Sequence, residues 1–262
     1  MSGKAKVFLI GAGPGDPELL TLKAHRLMKN ADVIVYDRLV SEAILDLVPP
    51  GTARIDVGKQ PNVHPVPQDE INTLLVRLAE DGKRRVVRLK GGDPFTFGRG
   101  GEEAQALADH GIDVEIVPGV TAASGCAAAL GIPLTHRGLA NSVRYITGHC
   151  REDADLDFDW AGLADPNTTL VVYMGKANIG RITTEILARG TDPSTPVAAI
   201  VHGTTDRQHH LFSTLDRIAG AVRAAKLDGP VLFVIGDVVS LAPEYQEERE
   251  EADAVLALQN VG

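Results

Sequence analysis

The chain is expected to be an α/β protein of two α/β domains, and three observations carry that expectation. Short apolar runs recur as Val7–Ile10, Val33–Tyr36 and Val86–Leu89, with amphipathic segments between them. Glycine-rich segments follow the first and third of these runs. The rhythm then breaks at Pro118-Gly119 and a second series of apolar runs begins. Strands alternating with helices call for a mostly parallel sheet covered by helices. The composition suits that arrangement: aromatics are only 4%, while Ala, Gly, Val and Leu are plentiful, so small-residue helices can pack closely on Val/Ile strands. A length of 262 residues is enough for two modest cores.

The elements follow in order. Val7–Ile10 reads as a strand ending at Gly11, and Asp16 with Pro17 reads as a helix start. Leu20, Ala24, Leu27 and Ala31 continue it at helical spacing. A second strand, Val33–Tyr36, ends at Asp37; Ser41 caps a short helix that Pro49-Pro50 terminates. Arg54–Val57 is a third strand, ending at Gly58-Lys59. Ile71, Leu74, Leu75 and Leu78 define one face of a helix that Gly82 stops. Val86–Leu89 is the fourth strand, Glu102–His110 is helical and Ile112–Val117 is the fifth strand.

The second half opens with a small-residue helix, Val120–Leu130. Strands are read at Val143–Thr147, Leu170–Tyr173, Val197–Val201 and Val231–Ile235, and helices at Ile179–Ala188 and Leu215–Ala225. His209–Ser213 reads as a further strand without an intervening helix, which implies some antiparallel pairing. The expected division is 1–118 for the N-terminal domain and 119–245 for the C-terminal one. Residues 246–262 form an acidic tail, expected to be exposed or disordered and in part helical.

Charge and composition exclude several classes. A net charge of −9 argues against nucleic acid as the main partner, because phosphate binding needs a basic surface. No apolar run reaches membrane-spanning length, so no membrane partner is expected. The polar start, Met1–Lys6, does not read as a signal peptide, and two cysteines, Cys126 and Cys150, make no disulfide framework. A cytoplasmic setting is expected. His202, His209 and His210 lack zinc-site spacing, so no metal is expected.

Two loops carry the chemistry. Gly11-Ala12-Gly13-Pro14-Gly15-Asp16 follows a strand, but Asp16 stands where a dinucleotide fingerprint has its third glycine. A carboxylate there competes with pyrophosphate for the helix amides, and Pro14 removes a donor. The loop either holds a ligand without pyrophosphate or is a plain strand-to-helix turn. The segment Lys90–Glu103 is too rich in glycine for a core and too charged for a simple turn. At the carboxyl end of a strand it marks the place where open α/β sheets bind small molecules.

Several blocks together resemble the tetrapyrrole methylases. They are Val-Tyr-Asp-Arg-Leu-Val at 35–40, Val-Gly-Lys at 57–59 and Arg-Leu-Lys-Gly-Gly-Asp-Pro-Phe-Thr-Phe-Gly-Arg-Gly-Gly-Glu-Glu at 88–103. Val-Pro-Gly-Val-Thr-Ala-Ala at 117–123, Gly-Ile-Pro-Leu-Thr-His-Arg at 131–137 and Val-Tyr-Met-Gly at 172–175 complete the set, in the family's order. The pattern is nearest to members acting on uroporphyrinogen III. The resemblance implies two α/β domains of the tetrapyrrole methylase type with the cofactor cleft between them, and a homodimer. It implies S-adenosyl-L-methionine as methyl donor, S-adenosyl-L-homocysteine as product, and uroporphyrinogen III converted to precorrin-2 by two successive methylations. The product would feed sirohaem, cobalamin or haem d1 synthesis.

Residue by residue, the resemblance places the donor against Pro14, Gly91, Gly92, Asp93, Thr96, Thr121, Ala122, Met174 and Gly203. At Thr96 the family varies, so contact there would be through backbone. Asp37 matches a proton acceptor and Lys59 a proton donor, although a loop-capping aspartate, an Asp37–Arg38 ion pair and a surface lysine are the plainer alternatives. The substrate is a polyanion with acetate and propionate arms. Arg99 and Arg137 are therefore its candidate partners, since guanidinium pairs carboxylates bidentately. Lys90 adds to the local field, whereas Arg88 reads as a solvated strand edge. Glu102 either accepts from a pyrrole N–H or stabilises a helix N-terminus. Other readings are a methyltransferase for a later corrin precursor, a diphthine synthase, a nicotinamide-dependent dehydrogenase, and a nucleotide- or tetrapyrrole-binding regulator.

Overall fold

The computed structural model describes residues 5–58, 66–82, 85–149 and 156–259. The chain divides into two compact units, residues 1–125 and 126–262.

The first unit holds β1 (Lys6–Gly11), α1 (Leu22–Lys29), β2 (Val33–Tyr36), α2 (Glu42–Leu45), β3 (Ala53–Asp56), α3 (Gln68–Glu80), β4 (Arg85–Lys90), α4 (Gly100–Asp109) and β5 (Asp113–Val117). Its five strands lie in the order β3-β2-β4-β1-β5, and every pairing is parallel. The mostly parallel sheet read from the sequence is therefore present. Two apolar layers sandwich it. Ile10, Ile34, Val87 and Leu89 face Ala24 and Met28 of α1 and Ile44 and Leu45 of α2. Val7, Leu9, Val33, Val35 and Val86 face Ile71, Leu75 and Ala79 of α3 and Leu107 of α4. Each large aliphatic side chain buried this way contributes about 1.5–3 kcal/mol.

This order creates a switch point. From β1 the chain moves through α1 to β2, and from β2 through α2 to β3, always toward the β3 edge. From β4 it moves through α4 toward β5, in the opposite direction. Right-handed crossovers in opposite directions put their helices on opposite faces of the sheet. The loop after β4 thus turns to one face while the loops after both neighbours, β1 and β2, turn to the other. Open α/β sheets bind ligands in that kind of parting.

The helix read from Asp16 onward starts later than expected. Asp16 Oδ1 accepts from the Glu18 amide at 2.8 Å, but it caps only a single 3-10 turn, Pro17–Leu19. Thr21 is the cap of α1, accepting from the Ala24 amide at 3.1 Å. Ser41 caps α2 as read.

A further helix, α5 (Ala122–Ala129), spans the division between the units. The second unit continues with β6 (Ser142–Thr147), α6 (Trp160–Leu163), β7 (Thr168–Tyr173), α7 (Ile179–Leu187), β8 (Pro196–Val201), β9 (His209–Thr214), α8 (Ile218–Ala225), β10 (Val231–Ile235) and α9 (Pro243–Gln259). Its sheet runs β6-β7-β10-β8-β9; β6 and β7 are parallel and the other pairings antiparallel. Because β10 opposes both of its neighbours, β7 and β8 run the same way and end at the same edge. Among the described residues no helix is long and apolar enough to cross a membrane.

Candidate active site

In the first unit the switch point brings the two glycine loops together. Gly13 and Gly92 form an antiparallel bridge, with Gly13 N donating to Gly92 O at 3.1 Å and Gly92 N to Gly13 O at 2.7 Å. Ala12 N donates to Lys90 O at 2.7 Å. A third backbone enters from the segment after β5. A Cβ on Gly119 would sit 2.3 Å from Gly92 O and 2.7 Å from Gly11 Cα, so only glycine allows this approach. Gly91 packs beneath Leu39, where a Cβ would fall 2.5 Å from the Leu39 Cβ.

Asp93 organises the loop. Its Oδ1 accepts from the amides of Phe95 and Thr96 at 2.8 and 3.1 Å and from the Thr96 hydroxyl at 3.3 Å. Its Oδ2 accepts from Gly119 N at 3.1 Å. The Asp93 carboxylate is thus occupied within the loop. At Thr96 the amide is occupied as well, which leaves its carbonyl for any backbone contact. The loop continues through Phe97 and Arg99, both with positive φ (55° and 58°), strained for side-chain-bearing residues.

Arg99 and Glu102 form one unit at the start of α4. Arg99 Nε and Nη2 donate to the two Glu102 carboxylate oxygens at 2.9 and 2.7 Å, and both side chains are about half exposed. That hydrogen bond, ahead of every other influence, raises the guanidinium pKa further. Asp37 lies one residue beyond β2. Its Oδ1 accepts from Leu39 N at 3.1 Å and its Oδ2 faces Arg88 Nη2 at 3.4 Å. Its ion-pair partner is thus Arg88 rather than the neighbouring Arg38. Lys59 lies outside the described residues.

Arg88 corrects the sequence reading. It is buried, not solvated at a strand edge, with only 3% of its surface exposed. Val86, Arg88 and Lys90 alternate onto the face covered by α3 and α4. There Glu103, fully buried, receives Arg88 Nε at 3.1 Å, Lys90 Nζ at 2.9 Å and Gln68 Nε2 at 3.2 Å, all on Oε1. Burial, and then the Arg88 charge, push the Lys90 ammonium pKa down, and Glu103 partly offsets this. Sequence reasoning missed Glu103. No local signal marked it, since adjacent helix residues about 100° apart can both face solvent, as Gly101 and Glu102 do.

In the second unit Met174 and Gly203 follow β7 and β8 at the same sheet edge. Met174 has φ +52°, a strained backbone conformation for a residue with a side chain, and is half exposed. Gly203 lies against Cys126, whose Sγ would be 2.2 Å from an added Cβ. Arg137 is exposed in a tight turn closed by hydrogen bonds between His136 and Ala140 at 2.9 and 3.0 Å. Among the described residues no cluster of His, Cys, Asp and Glu is able to hold a metal ion.

Residues 6–219 match the family model described as Tetrapyrrole (Corrin/Porphyrin) Methylases.

The chain belongs to the tetrapyrrole methylases.

This methylase is 51% identical over 243 residues to a uroporphyrinogen-III C-methyltransferase of Paracoccus denitrificans, covering 93% of the chain and 84% of that relative. It is 54% identical over 236 residues to a siroheme synthase of Hahella chejuensis, covering 90% of the chain but 50% of the relative. The chain therefore spans about half the length of the siroheme synthases that it matches. A uroporphyrin-III C-methyl transferase from Thermus thermophilus, solved with S-adenyl homocysteine, superposes with a TM-score of 0.76 at 42% identity, covering 90% of this chain and 93% of that one.

Proposed function

We propose that the chain is an S-adenosylmethionine-dependent C-methyltransferase converting uroporphyrinogen III to precorrin-2 by two successive methylations. The observation that carries this is the parting around β4. There the glycine loops after β1 and β4, the Asp37 carboxylate and the Arg99–Glu102 pair share one edge of one sheet.

The residues fit the donor. Gly92 faces Thr121 and Ala122 across a gap that an added Cβ would enter, 3.8 Å from Ala122 N. Asp16 already holds the amide that a phosphate would need, which disfavours a pyrophosphate cofactor. Pro14, Gly91, Gly92, Asp93, Thr96, Thr121 and Ala122 of the first unit and Met174 and Gly203 of the second are assigned to donor binding. S-adenosylmethionine supplies, when bound, a sulfonium methyl group as the electrophile.

The chain's own residues do the rest. Arg99 and Arg137 pair with the substrate's carboxylate arms and fix the macrocycle. Glu102 orients Arg99 and presents an acceptor to a pyrrole N–H. Asp37 accepts the proton that the macrocycle loses after a ring carbon gains its methyl group, and Lys59 returns one. Such proton transfer is worth about 10²–10⁴-fold in rate. A sequence with only two cysteines and no disulfide framework supports a cytoplasmic setting, and family membership supports a homodimer.

The test is incubation with S-adenosylmethionine and freshly prepared uroporphyrinogen III, followed by mass analysis. Two added methyl groups are expected. Asp37→Ala and Arg99→Ala are each expected to slow turnover about 100-fold without unfolding the protein. No mass gain, or gain only on a later corrin precursor, overturns the substrate. Full rates in both variants overturn the residue roles.

A further inference from the structure

The buried charges beneath the site ask for an explanation that stability does not supply. Arg88, Lys90 and Glu103 lie under α3 and α4 on a stripe that begins with the apolar Val86. A buried ion cluster of this kind is rarely a net stabiliser, and well-packed apolar residues often serve a core as well or better. Its geometry points outward, to Asp37.

The Arg88 guanidinium is held on every side. Nε donates to Glu103 Oε1 at 3.1 Å, Nη1 to the Leu89 carbonyl at 3.0 Å, and Nη2 faces Asp37 Oδ2 at 3.4 Å. Glu103 is in turn fixed by Lys90 Nζ at 2.9 Å and Gln68 Nε2 at 3.2 Å. All three donors converge on Oε1, and Oε2 is buried with no hydrogen-bond partner among the described residues. The oxygen that holds Arg88 is thus itself fixed by Lys90 and Gln68. Asp37 then has both oxygens engaged, one by Arg88 and one by the Leu39 amide at 3.1 Å. The two cations, Arg88 and Lys90, thus face two carboxyl groups, Glu103 and Asp37.

We infer that Arg88, anchored by Glu103, is the positioning residue of Asp37, holding that carboxylate aimed at the sheet edge where the substrate's proton is released. This rests on the reading of Asp37 as the proton acceptor. Arg88 touches no substrate; it acts through Asp37, and rates are sensitive to misplacement of a reacting group by about 1 Å.

The experiment is steady-state methylation of uroporphyrinogen III by Arg88→Met, Arg88→Lys, Asp37→Asn and the Arg88→Met/Asp37→Asn double variant. S-adenosylhomocysteine binding by calorimetry reports the fold. Arg85→Met is the control, because Arg85 pairs with Asp32 at 3.2 Å at the exposed start of the same strand. Each Arg88 variant is expected to lose about tenfold or more in kcat while KM for the donor stays within about twofold. The double variant is expected to be no slower than Asp37→Asn, because a residue acting through Asp37 has nothing left to position.

Lysine keeps the charge but lacks the planar fork that spans Glu103 and Asp37, so Arg88→Lys tests the same geometry if Arg88→Met does not fold. If Asp37→Asn keeps the wild-type kcat, the acceptor reading falls and the inference with it. If Asp37→Asn is slow but the Arg88 loss multiplies with it, the acceptor reading stands and the positioning role is overturned. Loss of fold in both Arg88 variants assigns Arg88 to the core and also overturns the role.

Discussion

Gly119→Ala places a methyl group where three backbones converge. The added Cβ would stand 2.3 Å from Gly92 O, 2.7 Å from Gly11 Cα and 2.8 Å from Gly11 C. Ordinary contact there needs about 1 Å more, and all of the nearest atoms are backbone, so no side chain can swing away. Relief means moving the segment after β5 off the two glycine loops. That breaks the Asp93 Oδ2 to Gly119 N bond at 3.1 Å and strains the Gly13–Gly92 bridge. Overpacking costs about 1–3 kcal/mol and the lost hydrogen bond about 1 kcal/mol, together about 3 kcal/mol.

For a chain of this size each kcal/mol moves Tm by about 2–4 °C, so a fall of about 10 °C is expected. S-adenosylhomocysteine affinity should fall with it, because the same movement pulls apart Gly92, Thr121 and Ala122. Thermal unfolding followed by circular dichroism reads the first quantity and calorimetry the second. Gly101→Ala is the internal comparison. An added Cβ there meets nothing within 4 Å, and its place in α4 makes alanine neutral to stabilising. A Gly119→Ala protein with Tm within about 2 °C of wild type and undiminished affinity would refute the three-backbone account.

Three further outcomes follow from single residues. Hydrogen bonds from Lys23 and then Lys6 hold the Glu115 carboxyl down at about 2, against an ordinary 4.5. Its folded pKa lies below its unfolded one, so the stabilisation is complete above pH 4.5 and is lost as pH falls through about 2. For this partly exposed trio it amounts to about 1 kcal/mol, and Glu115→Gln should flatten stability against pH across that window in urea titrations. Met174→Gly relieves a φ of +52° and should raise stability by about 1 kcal/mol while weakening S-adenosylhomocysteine binding; a gain in affinity would count against Met174 as a donor contact. Burial pushes the Cys126 thiol up to about 12, so in a Cys150→Ser background native protein at pH 8 should resist thiol reagents and label only on unfolding.

Much of the fold was legible because its periodicities are local. The Val/Ile runs of β1, β2 and β4 alternate with helices whose apolar faces recur at helical spacing, and the parallel sheet follows from that alternation. β9 was legible for the complementary reason, since no helix separates it from β8. The start of α1 was not. Asp16 and Pro17 form a genuine N-terminal signal, but they are spent on one 3-10 turn, with Thr21 capping the helix proper. Local capping chemistry does not say how many turns follow it. Arg88 was misread because charge in a strand is usually solvated; only the packing of α3 and α4 over the β4 stripe puts it out of water.

By itself the sequence determined the alternation of elements, the two glycine loops and the identity of the residues at the strand tips, because these depend on neighbours along the chain. The tertiary structure decided which tips meet. Strand order, which no local interaction encodes, set β4 between β1 and β2 and so laid Gly92 beside Gly13 and Arg88 beside Asp37. It also buried a glutamate from α4 among the side chains of α3 and β4. Such contacts join residues up to 79 positions apart, and they exist only once the sheet and its covering helices have formed.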